Sequence, residues 1–315
     1  MKKLFLNMML YAFLMVFCLE LIVRLFHLTK DYPVRYVDEF GVEKWVPNQK
    51  GFAVTGIRRQ NFSEYRINNS GYNSYREFSP TQDQVEIALV GDSFIEGFHQ
   101  HYANSIGKKI ENRLKDVDVY EYGYAGYDLA DQLHMINIYK NTFDLIDYVV
   151  LGLKFENDLT RGTYTVLQDR MKLETPLYKI LRQSKLLVYL QNIGAFDSSK
   201  RLLFKITSLN KKYNSTSKNI SEEALHQQYI QNFESLVSNY GFDKSRFTLL
   251  LDSAHTPQVF LNYLDKNGFK YLDFSPPLTA SKTSTNLIYD MHWNNHGRTL
   301  IAKLIADSIA NNLEK

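Results

Sequence analysis

A single cysteine, Cys18, stands in a chain of 315 residues, which excludes a disulfide framework and any cysteine-rich metal site. Charge of one sign is also missing. The 37 basic and 34 acidic residues are interspersed and leave a net charge of +3, so no stretch carries the basic footprint of a nucleic-acid binder. Nucleic acid is therefore set aside as a partner. What the chain has in quantity is core material. With 44% hydrophobic and 14% aromatic residues it can bury a sizeable core, as one large domain with appendages or as two small ones, and it lacks the composition of a disordered protein.

Residues 1–28 open with Lys2 and Lys3 and run on through Leu4-Phe5-Leu6 to Phe17-Cys18-Leu19, interrupted by Asn7, before Glu20. A positive start followed by an apolar stretch is a secretory signal or a membrane anchor. Apolar character resumes at Leu21-Ile22-Val23 and Leu25-Phe26, and no Ala-x-Ala cleavage pattern follows, which favours an uncleaved anchor of about 20 residues. Met15-Val16-Phe17 also lacks the small residues expected ahead of a lipidated cysteine. Glu20 and Arg24 stand one helical turn apart and can pair near the interface. Lys2 and Lys3 favour the cytoplasmic side and place the rest of the chain outside, against which Arg24, His27 and Lys30 weigh on the other flank.

Residues 29–84 form an irregular lead-in, punctuated by Pro33, Trp45, Pro47, Gly51, Gly56, Gly71 and Pro80. Ala53-Val54-Thr55 and Glu64–Asn68 are expected as short antiparallel strands, and Asn68, Asn69, Gly71 and Tyr72 as a turn rather than as site residues.

From residue 85 to 315 the chain alternates in the α/β manner. Val85–Val90, Val117–Tyr122, Tyr148–Leu153, Phe247–Leu251 and Tyr271–Phe274 are the expected parallel strands. Between the first two, Ile106, Ile110 and Leu114 recur on one face of a crossover helix. A second helix is expected from Glu222 to Val237 and a last one from Arg298 to Asn311. Residues 159–245 interrupt this alternation and are expected as a helical cap beside the strand C-termini, shaping a substrate groove.

The first strand ends abruptly in Gly91-Asp92-Ser93, at the end of an open α/β sheet where ligands bind. Ser93 is thereby a candidate nucleophile; the plainer alternative is that Asp92 or Ser93 only caps the next helix. Three further blocks follow strand ends or the C-terminal region: Gly123-Tyr124-Ala125-Gly126-Tyr127, Phe155-Glu156-Asn157-Asp158, and Asp290-Met291-His292-Trp293-Asn294-Asn295-His296-Gly297. Four such blocks in this order resemble the SGNH (GDSL-type) hydrolase superfamily over roughly residues 65–312.

The resemblance implies a three-layer α/β/α sandwich with a flavodoxin-like five-stranded parallel sheet, here behind an N-terminal transmembrane helix. It assigns Ser93 as nucleophile and first oxyanion donor, Gly126 as the second donor with Gly123 as the alternative, and Asn157 as the third. His292 becomes the general base and Asp290 the residue that orients it. Each type is needed: a serine hydroxyl requires a base, the base a carboxylate to hold its tautomer, and the oxyanion pre-placed donors. Two departures stand out. Only Met291 separates Asp290 from His292 where many members have two residues, and Trp293-Asn294 replaces the commoner Pro-Asn, as in membrane-associated, polysaccharide-modifying branches.

His296 competes with His292 as base, but its place before Gly297 and a predicted helix marks a helix start. His99 and His101 could bind a metal, yet without carboxylates at suitable spacing they are expected in a solvated loop. Asp158 is expected to anchor its own loop through backbone hydrogen bonds. Asp252 and His255 end the fourth strand beside the expected site, where they are candidates for substrate contact. Asn61-Phe62-Ser63, Asn214-Ser215-Thr216 and Asn219-Ile220-Ser221 fit a glycosylation pattern. Tyr164, Tyr178, Tyr189 and Tyr213 of the insertion are compatible with carbohydrate stacking.

The activity so implied is that of a membrane-anchored, extracytoplasmic serine esterase acting on acyl esters, O-acetyl esters of a glycan among them, through an acyl-Ser93 intermediate and without cofactor or metal. An O-acyltransferase modifying a cell-surface polysaccharide, fed by a membrane acyl-donor protein, would use the same site; the choice depends on how well the cap excludes water. A binding or assembly factor without turnover is the reading from another class.

Overall fold

The computed structural model describes residues 1–56, 59–197 and 221–313; the Asn214 and Asn219 patterns and Tyr213 lie outside them. The chain forms two compact units. One comprises Met1–Tyr32, Phe52–Phe62 and Gln168–Asn219, the other Pro33–Gly51, Ser63–Leu167 and Ile220–Lys315. Residues 29–84 and 159–245 are each divided between the two.

The larger unit is built on five parallel strands, β5 (Val85–Gly91), β6 (Val117–Gly123), β7 (Tyr148–Gly152), β8 (Phe247–Leu251) and β9 (Tyr271–Asp273), in the order β6-β5-β7-β8-β9. That is the flavodoxin-like order, and each strand lies where the apolar runs placed it. Strands buried on both faces read as near-continuous apolar runs. Accordingly Ala88 and Val90 face one core while Ile87 and Leu89 face the other. The first core is closed by α4 (Leu129–Ile138), α10 (Glu222–Tyr240) and α11 (Gln258–Lys266), the second by α3 (Ile106–Glu111) and α13 (Asn295–Leu313). This is the expected three-layer α/β/α sandwich. Within the insertion, α10 serves the sheet and is no lid: Phe233 is fully buried and packs edge-on against Phe260 and Phe269.

Among the short elements of this unit, strands β1 (Arg35–Val37) and β2 (Glu43–Trp45) pair antiparallel and α5 (Lys140–Phe143) ends the β6–β7 crossover; β3 (Lys50–Thr55) and β4 (Asn61–Arg66) form a second pair, of which Phe52–Phe62 belong to the smaller unit. Asn68 makes the expected turn, its Oδ1 accepting from Ser70 N–H at 3.1 Å and Tyr72 N–H at 3.0 Å. Gly71 follows at φ +88°, where a Cβ would meet the Trp45 carbonyl oxygen at 2.8 Å.

In the smaller unit, α1 (Lys2–Leu25) has a mean hydropathy of 2.2 over its most apolar stretch and is long enough to cross a membrane. Short helices α7 (Gln168–Met171), α8 (Pro176–Gln183) and α9 (Lys185–Asn192) belong to the same unit. Glu20 and Arg24 pair as their spacing predicts, at 2.7 Å.

Candidate active site

Strand β5 ends at Gly91, where a Cβ would meet Ile95 Cγ1 at 2.7 Å, so the chain can fold back tightly on itself. Asp92 then adopts extended backbone and caps α2 (Ser93–Glu96), its Oδ1 accepting from Phe94 N–H at 2.9 Å. Asp92 is thus the cap, as the plainer reading has it. Ser93, first residue of the helix, is left with its hydroxyl turned to other work.

That hydroxyl meets His292, whose Nε2 lies 2.7 Å from Ser93 Oγ. Asp290 Oδ1 is hydrogen-bonded to His292 Nδ1 and also accepts His292 N–H at 3.1 Å. The short Asp-x-His spacing works because both residues lie on β11 (Asp290–Trp293), which pairs antiparallel with β10 (Asn286–Leu287). Side chains two apart on a strand share a face, so one intervening residue suffices. The bond from His292 holds the Asp290 carboxyl down at about 2, so it is a carboxylate at any working pH.

The His292 ring has two aromatic neighbours. Phe94 is 4.5 Å away between centroids, and His99 stacks on the ring at 4.1 Å with 29° between planes. Here the structure corrects the expectation of a solvated loop: His99 is buried, and only His101 is exposed. Arg298, fully buried on α13, places its Nη2 3.1 Å from His99 Nε2. Burial foremost, then the charges of Arg298 and His292, push the His99 pKa down to about 2. A neutral His99 accepts from Arg298 through Nε2 and keeps its proton on Nδ1. Burial also lowers Arg298, to about 10, with buried Glu121 opposing that fall. His296 is elsewhere, exposed and 2.9 Å from Ser281 Oγ.

Of the candidate oxyanion donors, Gly126 lies in the loop after β6, exposed and at φ +91°, a conformation glycine adopts freely. Gly123 is in a different situation. A Cβ there would be 2.1 Å from Glu96 N, so Gly123 is where α2 packs on β6. Asn157 is exposed on α6 (Phe155–Asp158), the one-turn helix after β7. Asp158 anchors that turn as expected, accepting Lys154 N–H at 2.7 Å, and burial pushes its carboxyl well above the usual range. Lys154 Nζ in turn pairs with Asp92 at 2.6 Å, tying the β7 end to the β5 end.

Glu96 was not among the residues singled out from the sequence. It is buried, and its Oε1 accepts from both Trp45 Nε1 at 2.7 Å and Ala125 N–H at 3.1 Å. Burial is the largest influence and raises its pKa to about 8. One buried carboxyl therefore links α2 to the Gly126 loop and to the lead-in.

A cavity of about 460 Å³ opens beside these residues. Both chain neighbours of Ser93, Asp92 and Phe94, line it, as do both neighbours of His292, Met291 and Trp293, together with Asn157. Its apolar part includes Ile95, Leu250, Phe274 and Leu278. Asp252 and His255 also line it, paired with each other at 2.9 Å. Among the described residues no tyrosine does. Tyr164 instead stacks on His134 at 3.9 Å. The described residues hold no cluster of metal-ligating side chains.

No family model matches the chain, and no curated protein does. Solved structures to which it is similar include a member of the lipolytic G-D-S-L family from Veillonella parvula, at 14% identity over 71% of this chain and 97% of that one, with a TM-score of 0.38. A lipase/acylhydrolase from Enterococcus faecalis has 15% identity, 72% and 96% coverage and a TM-score of 0.41. Est24, a carbohydrate acetylesterase from Sinorhizobium meliloti, has 10% identity, 72% and 99% coverage and a TM-score of 0.38.

Proposed function

We propose that this chain is a membrane-anchored, extracytoplasmic serine esterase that cleaves acyl esters through an acyl-Ser93 intermediate. The observation that carries the reading is Ser93 Oγ 2.7 Å from His292 Nε2, with Asp290 bonded to the other ring nitrogen. His292 takes the Ser93 proton as the hydroxyl oxygen attacks the acyl carbon, and Asp290 holds the ring in the required tautomer. The oxyanion receives hydrogen bonds from Ser93 N–H, which has no partner inside its helix, from Gly126 N–H and from Asn157 Nδ2. His292 then returns its proton to the departing alkoxide. Water, deprotonated by the same ring, releases the acid and restores Ser93.

The cavity is larger than an acetyl group requires and leaves room for part of the alcohol. Its aromatic walls are Phe94, Phe155, Phe274 and Trp293. The ester-cleaving triad, not any sugar contact, carries the reading, so acyl ester is the substrate class proposed. Lys2 and Lys3 favour the cytoplasmic side for the N-terminus, against Arg24, His27 and Lys30 on the other flank, which supports placing the catalytic part outside.

The test is release of p-nitrophenol from p-nitrophenyl acetate by the full chain in detergent, beside Ser93→Ala, with and without an oligosaccharide acceptor. Turnover lost in Ser93→Ala and products unchanged by acceptor support hydrolysis. Turnover indifferent to Ser93 overturns the assignment, and acetylated oligosaccharide replaces esterase by transferase.

A further inference from the structure

Helix α8 is two turns long, and its residues divide cleanly by face. Leu177, Tyr178, Ile180 and Leu181 are 65%, 47%, 64% and 41% exposed, and at 100° per residue they occupy one side. Lys179, Arg182 and Gln183 occupy the other. Burying that apolar stripe would be favourable, yet among the described residues it stays exposed.

The position of α8 says what would bury it. Its last carbonyl, that of Gln183, accepts from Arg24 Nη2 at the C-terminal end of α1. Next to it Glu20 caps the start of α9, accepting Lys185 N–H at 2.9 Å, Leu186 N–H at 2.7 Å and Ser184 Oγ–H at 3.1 Å. The level of α8 is therefore that of Glu20 and Arg24, the first charged pair after the apolar stretch of α1. On α1 itself Leu21, Ile22 and Leu25 remain exposed at that level, so both helices present apolar surface there. On its polar face α8 carries Lys179 and Arg182, cations of the kind that interfacial helices present to the headgroup layer.

We infer that α8 is an interfacial membrane helix, lying in the lipid surface at the outer end of α1 with Leu177, Tyr178, Ile180 and Leu181 in the acyl boundary. Such helices sink about 5–10 Å into the headgroup region with cations on the polar face. The inference depends on α1 being a membrane anchor, as proposed above. Its consequence is that the protein meets the bilayer at two places, with α8 and α9 clamped to α1 by Glu20 and Arg24.

The full chain with Cys18→Ala, reconstituted in vesicles of phosphatidylcholine and phosphatidylglycerol, allows single bimane labels at Leu177→Cys, Ile180→Cys, Lys179→Cys and, within α1, Leu14→Cys. Variants are compared only where thermal unfolding matches the parent. Labels at 14, 177 and 180 are expected to be quenched by nitroxide lipid and shielded from iodide, with the label at 179 showing the reverse. A label at 14 in lipid with those at 177 and 180 open to iodide overturns the inference and leaves the anchor intact. Disulfide-linked dimers through Leu177→Cys also overturn it, making a second copy the occupant. If the label at 14 is itself open to iodide, the anchor reading fails and α8 loses its membrane with it.

Discussion

His292 Nε2 lies 2.7 Å from Ser93 Oγ although 199 residues separate them in the chain. One comes from a turn at the end of β5, the other from a short hairpin after β9, and neither element alone suggests the other. Groups that act as one unit lose activity together. His292→Ala and Ser93→Ala should each lower kcat by about 10⁴-fold or more, and the double variant should lose little beyond either single one. Independent losses that multiply in the double variant would separate the two residues functionally.

Asp290→Asn keeps the shape of the site but offers His292 Nδ1 no carboxylate. The expected result is a fall in kcat of about 10⁴-fold with KM nearly unchanged, because orientation and tautomer are lost and substrate contacts are not. Steady-state kinetics on a soluble ester would check it.

Asn157 is the proposed side-chain donor to the oxyanion. Asn157→Ala should raise the barrier by about 2.7–4 kcal/mol, seen as a loss of about 10²–10³-fold in kcat. A change confined to KM would assign Asn157 to substrate binding instead.

Glu96 makes stability depend on pH. Its carboxyl holds a proton to about pH 8 when folded, against an ordinary value of 4.5, so the folded state binds the proton more tightly. Its contribution is fully present below about pH 4.5 and is lost as pH rises through 8, by an amount on the order of a few kcal/mol. Both donors converge on Oε1, an oxygen that glutamine also offers. Glu96→Gln should therefore lie close to wild type in melting temperature at pH 5 and above it at pH 8.5. An equal offset at both pH values would contradict this.

His99 stacked on His292 should act as a positioning residue. His99→Ala opens one side of the His292 ring, and misplacement of a base by a fraction of an ångström justifies a loss of about 10- to 100-fold in kcat. His99→Phe should restore most of it and leave the pH profile unchanged, since His99 is neutral in the working range. Failure of phenylalanine to rescue would mean that the Arg298 contact, not the stack, is what matters.

The five core strands were legible because strands buried on both faces are near-continuous apolar runs, and such runs bounded by polar turns are hard to mistake. Ser93, Asp290 and His292 were legible as residue types in order, and strand alternation on β11 accounts for the spacing that departed from the family pattern. Glu96 and His99 were not. Each resembles a surface residue of a short polar loop, and each is buried by something distant: Glu96 by Trp45 of the lead-in, His99 by Arg298 of the last helix. Local sequence carries no trace of such long-range cover. The mixed membership of the insertion was hidden for a similar reason, since the apolar stripe of α10 reads the same whether it covers a sheet or a groove.

The central claim, that Ser93 is a nucleophile activated by His292, is tested most directly by a fluorophosphonate probe on the purified full chain. Wild type should be labelled at Ser93, identified by peptide mapping, while Ser93→Ala and His292→Ala stay unlabelled. Labelling that persists in Ser93→Ala, or a wild type that never labels while folded, would contradict the account.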